Sequence, residues 1–360
     1  MTMWVDLAIT LVKIFFIFAV TVGFFAPVLT WVERKQSALM QDRIGANRAD
    51  IMGFTALGLF HIIADAVKMF TKEDFIPDGA NKVLHTISPI IALVPALLTF
   101  AVVPFGGQYT LFGKEVNLVI SDLDVGLLFV FAIASLATYG YVIAGWSSNN
   151  NWSLLGSMRT ASQMISYEVT MGLTIIGVLM VYSSMKLTEI GAIQENFWMW
   201  GVFLQPVGFV MFLTASIAEN KRIPFDAPEA ESELVAGYFT EYSGLKFGMF
   251  FMAEFIEMVT IGAIMTILFM GAWHIPFLTT ATLLSWFDFL GTTGSNLIVM
   301  LVHIGVFFTK VIFFIWLQMI IRWTLPRFRY DQIMKLGWKI LLPLSLANIL
   351  VTGLVILALN

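Results

Sequence analysis

No cysteine occurs among the 360 residues. Disulfides, thiolate-ligated iron–sulfur clusters and c-type haem attachment are therefore excluded. Charge is scarce too. Asp, Glu, Lys and Arg make up 12 % of the chain, against about 25 % in an ordinary soluble domain. The histidines are His61, His85, His274 and His303. Only His303 lies well inside an apolar run, so a bis-imidazole haem has no evident second ligand. No residue cluster implies a metal site. If the protein takes part in redox chemistry, something else carries the electrons. No low-complexity or Pro-rich linker interrupts the chain, which reads as a single integral membrane domain over residues 1–360.

What is present is grease: 59 % of residues are hydrophobic and mean hydropathy is +0.86. A spanning helix needs about 20 mostly apolar residues. Eight segments qualify: 4–32, 83–104, 124–145, 161–183, 198–218, 247–271, 297–320 and 338–358. The expected fold class is an all-α polytopic membrane protein in the lipid bilayer. The first apolar run is too long for a signal-peptide core and no small-residue cleavage site follows it, so we expect no cleaved leader. The loops 33–82, 146–160, 219–246 and 321–337 hold 7, 1, 3 and 4 Lys or Arg, together 15, whereas the loops and tails of the other side hold only Lys114 and Lys186. The positive-inside rule then puts both termini on the outer side of the membrane; a bacterial cytoplasmic (inner) membrane is the expected one, which would make that side the periplasm.

One further segment, "FTALGLFHIIADAVKMFTK" at 54–72, spaces His61, Asp65, Lys68 and Lys72 along one helical face. Its other faces are apolar, with Thr55 as the expected start. Such a helix lies in the cytoplasmic interface plane rather than crossing it. A surface helix packed on its own protein fits the same pattern.

A few charges lie where charge is expensive. An ionisable group at bilayer depth costs about 2.5–3.5 kcal/mol on insertion scales. Glu168 lies roughly 13 Å past Arg159, and Glu254 and Glu257 about 10 and 15 Å past Phe247, at the helical rise. Lys310 falls in the seventh span. All three glutamates enter from the side of a loop, 219–246, that carries Glu219, Asp226, Glu229, Glu231, Glu233 and Glu241. This loop can be a solvated one. It can also fold back and hand its acids to Glu254, Glu168 and Lys310. Crowded, buried carboxylates titrate nearer ambient pH and relay protons.

The ordered motifs carry a resemblance. They are "ERK" at 33–35, "QDRIGANR" at 41–48, "ADAVKMFTKED" at 64–74, "AGWSSNNNWSLLGSMR" at 144–159, "ISYE" at 165–168, "PFDAPEAESELVAGYFTEYSG" at 224–244, "MAEF" at 252–255 and "LPRFRYDQIMKLGWK" at 325–339. Over nearly its whole length the chain resembles the H-subunit family of the proton-pumping NADH–quinone oxidoreductase, respiratory complex I, which includes mitochondrial NADH dehydrogenase subunit 1. The resemblance implies a multi-subunit enzyme in which this chain binds quinone as substrate and holds no redox centre. NADH, FMN and iron–sulfur clusters would sit in partner subunits. The partners would be the peripheral-arm quinone-site subunits and the neighbouring small and antiporter-like membrane subunits, with no nucleic acid.

Matched by motif, Glu33, Arg34, Arg43, Asp65, Lys68, Arg222, Phe225 and Asp226 would lie at the quinone tunnel. Glu168, Glu229, Glu231, Glu233, Glu241 and Glu254 would form an acidic coupling path, with Lys310 beside it. The chain departs from the pattern in three places. Ala46 stands where a Pro is usual, Ser135 lies where some members carry a glutamate, and the 275–296 loop is long. Two other readings stay open at this point. One is the homologous membrane component of an energy-converting hydrogenase, which acts without quinone. The other is a stand-alone cation/proton antiporter.

Overall fold

The apolar runs fold as helices in a computed structural model whose described residues are 2–111, 113–228 and 231–359. Among them, seven helices are long and apolar enough to cross a membrane. They are α1 (Trp4–Met40), α3 (Lys82–Ala101), α4 (Gly126–Ser147), α5 (Asn151–Tyr182), α7 (Gly244–Phe269), α8 (Asp288–Thr324) and α9 (Tyr330–Leu359). The amphipathic helix α2 is Phe60–Thr71 and the shorter apolar helix α6 is Pro206–Glu219. The expected all-α membrane architecture is thus what is found.

The fifth expected span, 198–218, is broken. A single turn, Gly201–Leu204, stops at Gln205, and α6 restarts with Pro206 in its first turn. Proline disfavours a helical residue before it and suits the first helical position. Gln205 uses the break: its amide donates to Thr352 at 2.8 Å and its carbonyl accepts from Asn348 at 3.0 Å, which ties α6 to α9. One antiparallel hairpin, β1 (Gln108–Leu111) with β2 (Lys114–Asn117), decorates the connection between α3 and α4.

The bundle is built around α7. In its most apolar window 78 % of residues are buried, against 11 % for α1 and 17 % for α9, so α7 is the core and α1 and α9 keep open apolar flanks. α7 packs on α3 and α8, α4 packs between α3 and α5, and α5 carries α6 and α9. Small residues set the closest approach. A Cβ at Gly140 would meet the Ala92 backbone nitrogen at 2.6 Å, and Ser88 donates to the Gly140 carbonyl at 3.1 Å. Helices in lipid associate through such close backbone contacts.

Helix α2 begins at Phe60 rather than near Thr55. Leu57 and Gly58 adopt φ values of 56° and 87°, which turn the chain before the helix starts. The C-terminal end of α2 lies against the start of α7, where the Met69 and Lys72 carbonyls face Gly244. It is therefore anchored to the protein at one end.

Candidate functional site: a buried charge chain

The charged residues of the basic end converge where α1 finishes, α6 finishes and α7 starts. Glu33 on α1 is 8 % exposed. It is paired with Arg322 from the end of α8 and with Arg222 Nη1 at 3.2 Å. The same guanidinium reaches Glu254 on α7 through Nη2 at 3.5 Å, and it lies 4.7 Å above the Phe255 ring centroid. Glu254, 3 % exposed, also accepts from the Tyr238 hydroxyl at 2.8 Å. Two carboxylates and two guanidiniums thus form one compact, charge-balanced cluster. An arginine fork suits this bridging because its donors are planar and its charge is permanent.

The local fold explains the placement. α6 ends at Glu219, and Lys221 turns the chain with φ 55°. The Phe328 amide then donates to the Pro224 carbonyl at 2.9 Å. Gln163 on α5 donates to the carbonyls of Ala218 at 2.7 Å and Phe225 at 2.6 Å. The stretch 218–225 is thereby held from both sides.

A second group continues from this cluster into the bundle. Glu257, one turn on from Glu254, accepts from Tyr141 at 3.2 Å and pairs with Lys221 at 3.3 Å. In the orientation that satisfies its neighbours, the Asn220 amide donates to the Glu254 carbonyl and to Glu257, both at 3.3 Å. Glu219, Asn220 and Glu257 line a cavity of about 60 Å³ with Met164 and Thr260. Glu168 on α5 accepts from Ser135 on α4.

The remaining expected residues are dispersed. Arg34 pairs with Asp65 of α2 at 2.6 Å, and both are part-exposed. Lys68 is exposed. Arg43 donates to Gln41 and Ser37 and lines a groove of about 420 Å³ with Trp31, Leu39 and Trp316. Asp226 is buried and pairs with Arg327 at 2.7 Å. Phe225 is buried between Tyr167 and Phe328, at centroid distances of 5.7 and 5.5 Å, where it packs the protein interior.

On the acidic loop, Glu233 pairs with Arg159 at 2.6 Å but is 48 % exposed, so it faces water rather than the buried cluster. Glu241 accepts from Asn150 at 2.7 Å. Glu231 starts the turn Glu231–Leu234, and Glu229 lies outside the described residues.

Lys310 does not lie beside the acids. Its ammonium donates to the carbonyls of Met270 at 2.7 Å, Ala272 at 3.1 Å and His274 at 2.6 Å, and stands 4.4 Å from the Trp200 ring centroid. It caps the far end of α7, roughly 20 Å along the helix from Glu257. A cation there satisfies orphan carbonyls and the helix dipole. Next to it, burial pushes the pKa of His274 down to about 4. Lys221, Tyr238, Tyr141 and Arg322 were not singled out from the sequence. The only signal was a Lys-Arg pair closing an apolar span.

Comparison with known proteins agrees with the motifs. A family profile described as NADH dehydrogenase matches residues 12–353. The chain is 47 % identical over 352 residues, 98 % of each chain, to an NADH-quinone oxidoreductase H subunit, numbered 1, of Geobacter metallireducens. It is 45 % identical to the H subunit of the Flavobacterium johnsoniae NADH-quinone oxidoreductase, covering 96 % of this chain and 94 % of that one. It is 42 % identical to the H subunit numbered 2 of Rhizobium meliloti, covering 99 % of both.

Proposed function

The chain belongs to the NADH dehydrogenase family, and on that premise we propose that it is the membrane subunit of a proton-translocating NADH–quinone oxidoreductase. In this reading it lines the quinone cavity and passes the consequences of quinone reduction into the membrane through buried charges. One observation carries the reading: the unbroken run Arg322, Glu33, Arg222, Glu254, Tyr238, part-exposed at Arg322 and buried from Glu33 to Tyr238 at the start of the core helix. Proteins leave such groups in a greasy interior for a functional reason by default.

Reducing a quinone to a quinol consumes two electrons and two protons. Before the protons arrive, negative charge accumulates at the ring. The Arg34–Asp65 pair, on α1 and α2, stands one residue along from Glu33 and is the expected receiving end. Charge appearing there changes the field at Glu33. Arg222 is shared by Glu33 and Glu254, so neutralising either carboxylate strengthens the guanidinium's hold on the other. At about 4 Å and an effective dielectric of 20, two unit charges interact by about 4 kcal/mol, enough to move a proton equilibrium by several orders of magnitude. Glu168 extends the path on α5. Glu233 and Glu241 serve as its approach from the loop, and Glu229 and Glu231 are assigned to the same approach by their motif.

NADH, FMN and iron–sulfur clusters are assigned to partner subunits, since a chain without cysteine offers no thiolate to a cluster. The partners are the peripheral-arm quinone-site subunits and the small and antiporter-like membrane subunits. The termini face the periplasm. The names of the relatives favour this reading over a hydrogenase component. The same names, those of subunits of a multi-subunit enzyme, favour it over a stand-alone antiporter.

The test is Arg34→Ala in the assembled enzyme. The KM for a short-chain quinone rises severalfold and inhibitor sensitivity falls, while NADH oxidation by an artificial acceptor is kept. An unchanged KM together with an unchanged inhibitor response overturns the quinone assignment.

A further inference from the structure

Two consecutive cations at the end of α6 each hold one of two glutamates a turn apart on α7. Arg222 takes Glu254 and Lys221 takes Glu257. The two pairs differ in one chemical respect. A guanidinium stays protonated in a protein, whereas an ammonium releases its proton when its surroundings demand it. The Lys221 side chain is 0 % exposed, and its ammonium stands 3.7 Å from the Tyr141 ring centroid. An unpaired charge at that depth is costly, so burial holds Lys221 and Glu257 together as a pair.

Glu257 and Glu219 both border the 60 Å³ cavity, which is large enough for water. Glu219 is within electrostatic reach of both Glu257 and Glu168. The groups facing the pair are Tyr141 from α4, Glu219 and Asn220 from the end of α6, and Glu254 with Arg222 behind them, while Glu168 from α5 lies within electrostatic reach of Glu219. Glu168 itself is met by Ser135, which donates a hydrogen bond but supplies no titratable carboxyl.

We propose that Lys221 and Glu257 form a titratable ion pair that passes a proton between the Glu254 cluster and the cavity at Glu219. The step balances without any co-reactant. A proton arriving on Glu257 neutralises the carboxylate and leaves the ammonium unpaired. Lys221 then releases one proton toward the cavity and becomes a neutral amine. Glu257 returns its proton to that amine, and the ion pair re-forms. Net, one proton has moved from the cluster side to the cavity side. This inference rests on the coupling role assigned above, which its test must keep separate.

The experiment uses the assembled enzyme in inverted membrane vesicles with three changes: Lys221→Arg, the doubly neutral Lys221→Gln/Glu257→Gln, and Glu254→Gln as the control for the coupling reading. Three readouts are taken: NADH oxidation by an artificial acceptor, quinone-linked turnover across pH, and proton uptake per NADH. Lys221→Arg keeps the pair and its charge but removes the releasable proton. The double variant keeps the charge balance and the shape at Glu257 but removes both titratable groups.

The proposal expects both to assemble with normal artificial-acceptor activity. Quinone-linked turnover falls tenfold or more, and one limb of its pH profile is lost. Wild-type turnover and pH profile in either variant, with Glu254→Gln impaired, overturn the proposal and leave the coupling reading standing. If Glu254→Gln is also indistinguishable from wild type, the coupling reading fails with it. If neither Lys221 variant assembles while Glu254→Gln does, the pair is a folding element and the proposal is overturned.

Discussion

Replacing Arg222 by glutamine removes the one guanidinium that Glu33 and Glu254 share, at 3.2 and 3.5 Å. Glu33 keeps Arg322. Glu254 keeps the Tyr238 hydroxyl but loses the cation nearest to it. Removing one partner of a buried ion pair typically costs about 3–5 kcal/mol, because the other charge is left uncompensated. The cost should fall on Glu254, which is 3 % exposed, and it should be relieved by neutralising that residue.

The prediction is therefore a cycle. Arg222→Gln lowers the heat stability and quinone-linked turnover of the assembled enzyme sharply. Adding Glu254→Gln recovers the stability, with a coupling energy of at least about 1.5 kcal/mol, near the lower edge of values for close buried charge pairs. Turnover stays low, because the proton-accepting carboxylate is gone. The assay is residual NADH–quinone activity after graded heating, with artificial-acceptor activity as the measure of intact enzyme. Additive losses in the double variant would show that the two residues do not act on each other and would refute the shared-guanidinium argument.

Glu233→Gln should change turnover by no more than about threefold, since its pair with Arg159 is half in water and such pairs contribute about 0.2–1 kcal/mol; a tenfold loss of pumping would move Glu233 into the buried path. Lys310→Met strips the cap from the far end of α7, where each buried carbonyl left unpaired costs about 1–3 kcal/mol. The yield of assembled enzyme should drop while proton uptake per NADH in the surviving fraction is unchanged; the reverse pattern would return Lys310 to the proton path. His274 has a pKa lowered by burial to about 4 in the folded protein, against about 6.5 unfolded. Its stabilising contribution, roughly 3 kcal/mol, is complete above pH about 6.5 and is lost as the pH falls through about 4. His274→Asn should flatten the acid limb of heat stability over that window, and an unaltered limb would show that His274 is not the group being charged.

The helices were legible because hydrocarbon thickness leaves few alternatives to an apolar helix of about 20 residues. The shared face of Glu254 and Glu257 followed from spacing alone, and the family was legible in the motifs. What escaped was set by long-range partners or by local backbone. Lys310 sits mid-span in sequence, yet its partners are carbonyls of the 270–274 turn, which no spacing reveals. Glu257 meets Lys221 across 36 residues and Tyr141 across 116. Phe225 belongs to a motif expected at the quinone cavity, but aromatic packing encloses it. The break at Gln205 is marked in the sequence only by Pro206, inside an otherwise continuous apolar run. The short hairpin at 108–117 carried too few residues to stand out.

The central claim is that Glu254 changes its proton occupancy when quinone is reduced. Redox-triggered infrared difference spectroscopy of the assembled enzyme observes carboxyl protonation directly. The account predicts a carboxyl band that appears on quinone reduction and disappears in Glu254→Gln while flavin and iron–sulfur signals are kept. An identical carboxyl region in the wild type and in Glu254→Gln would contradict it.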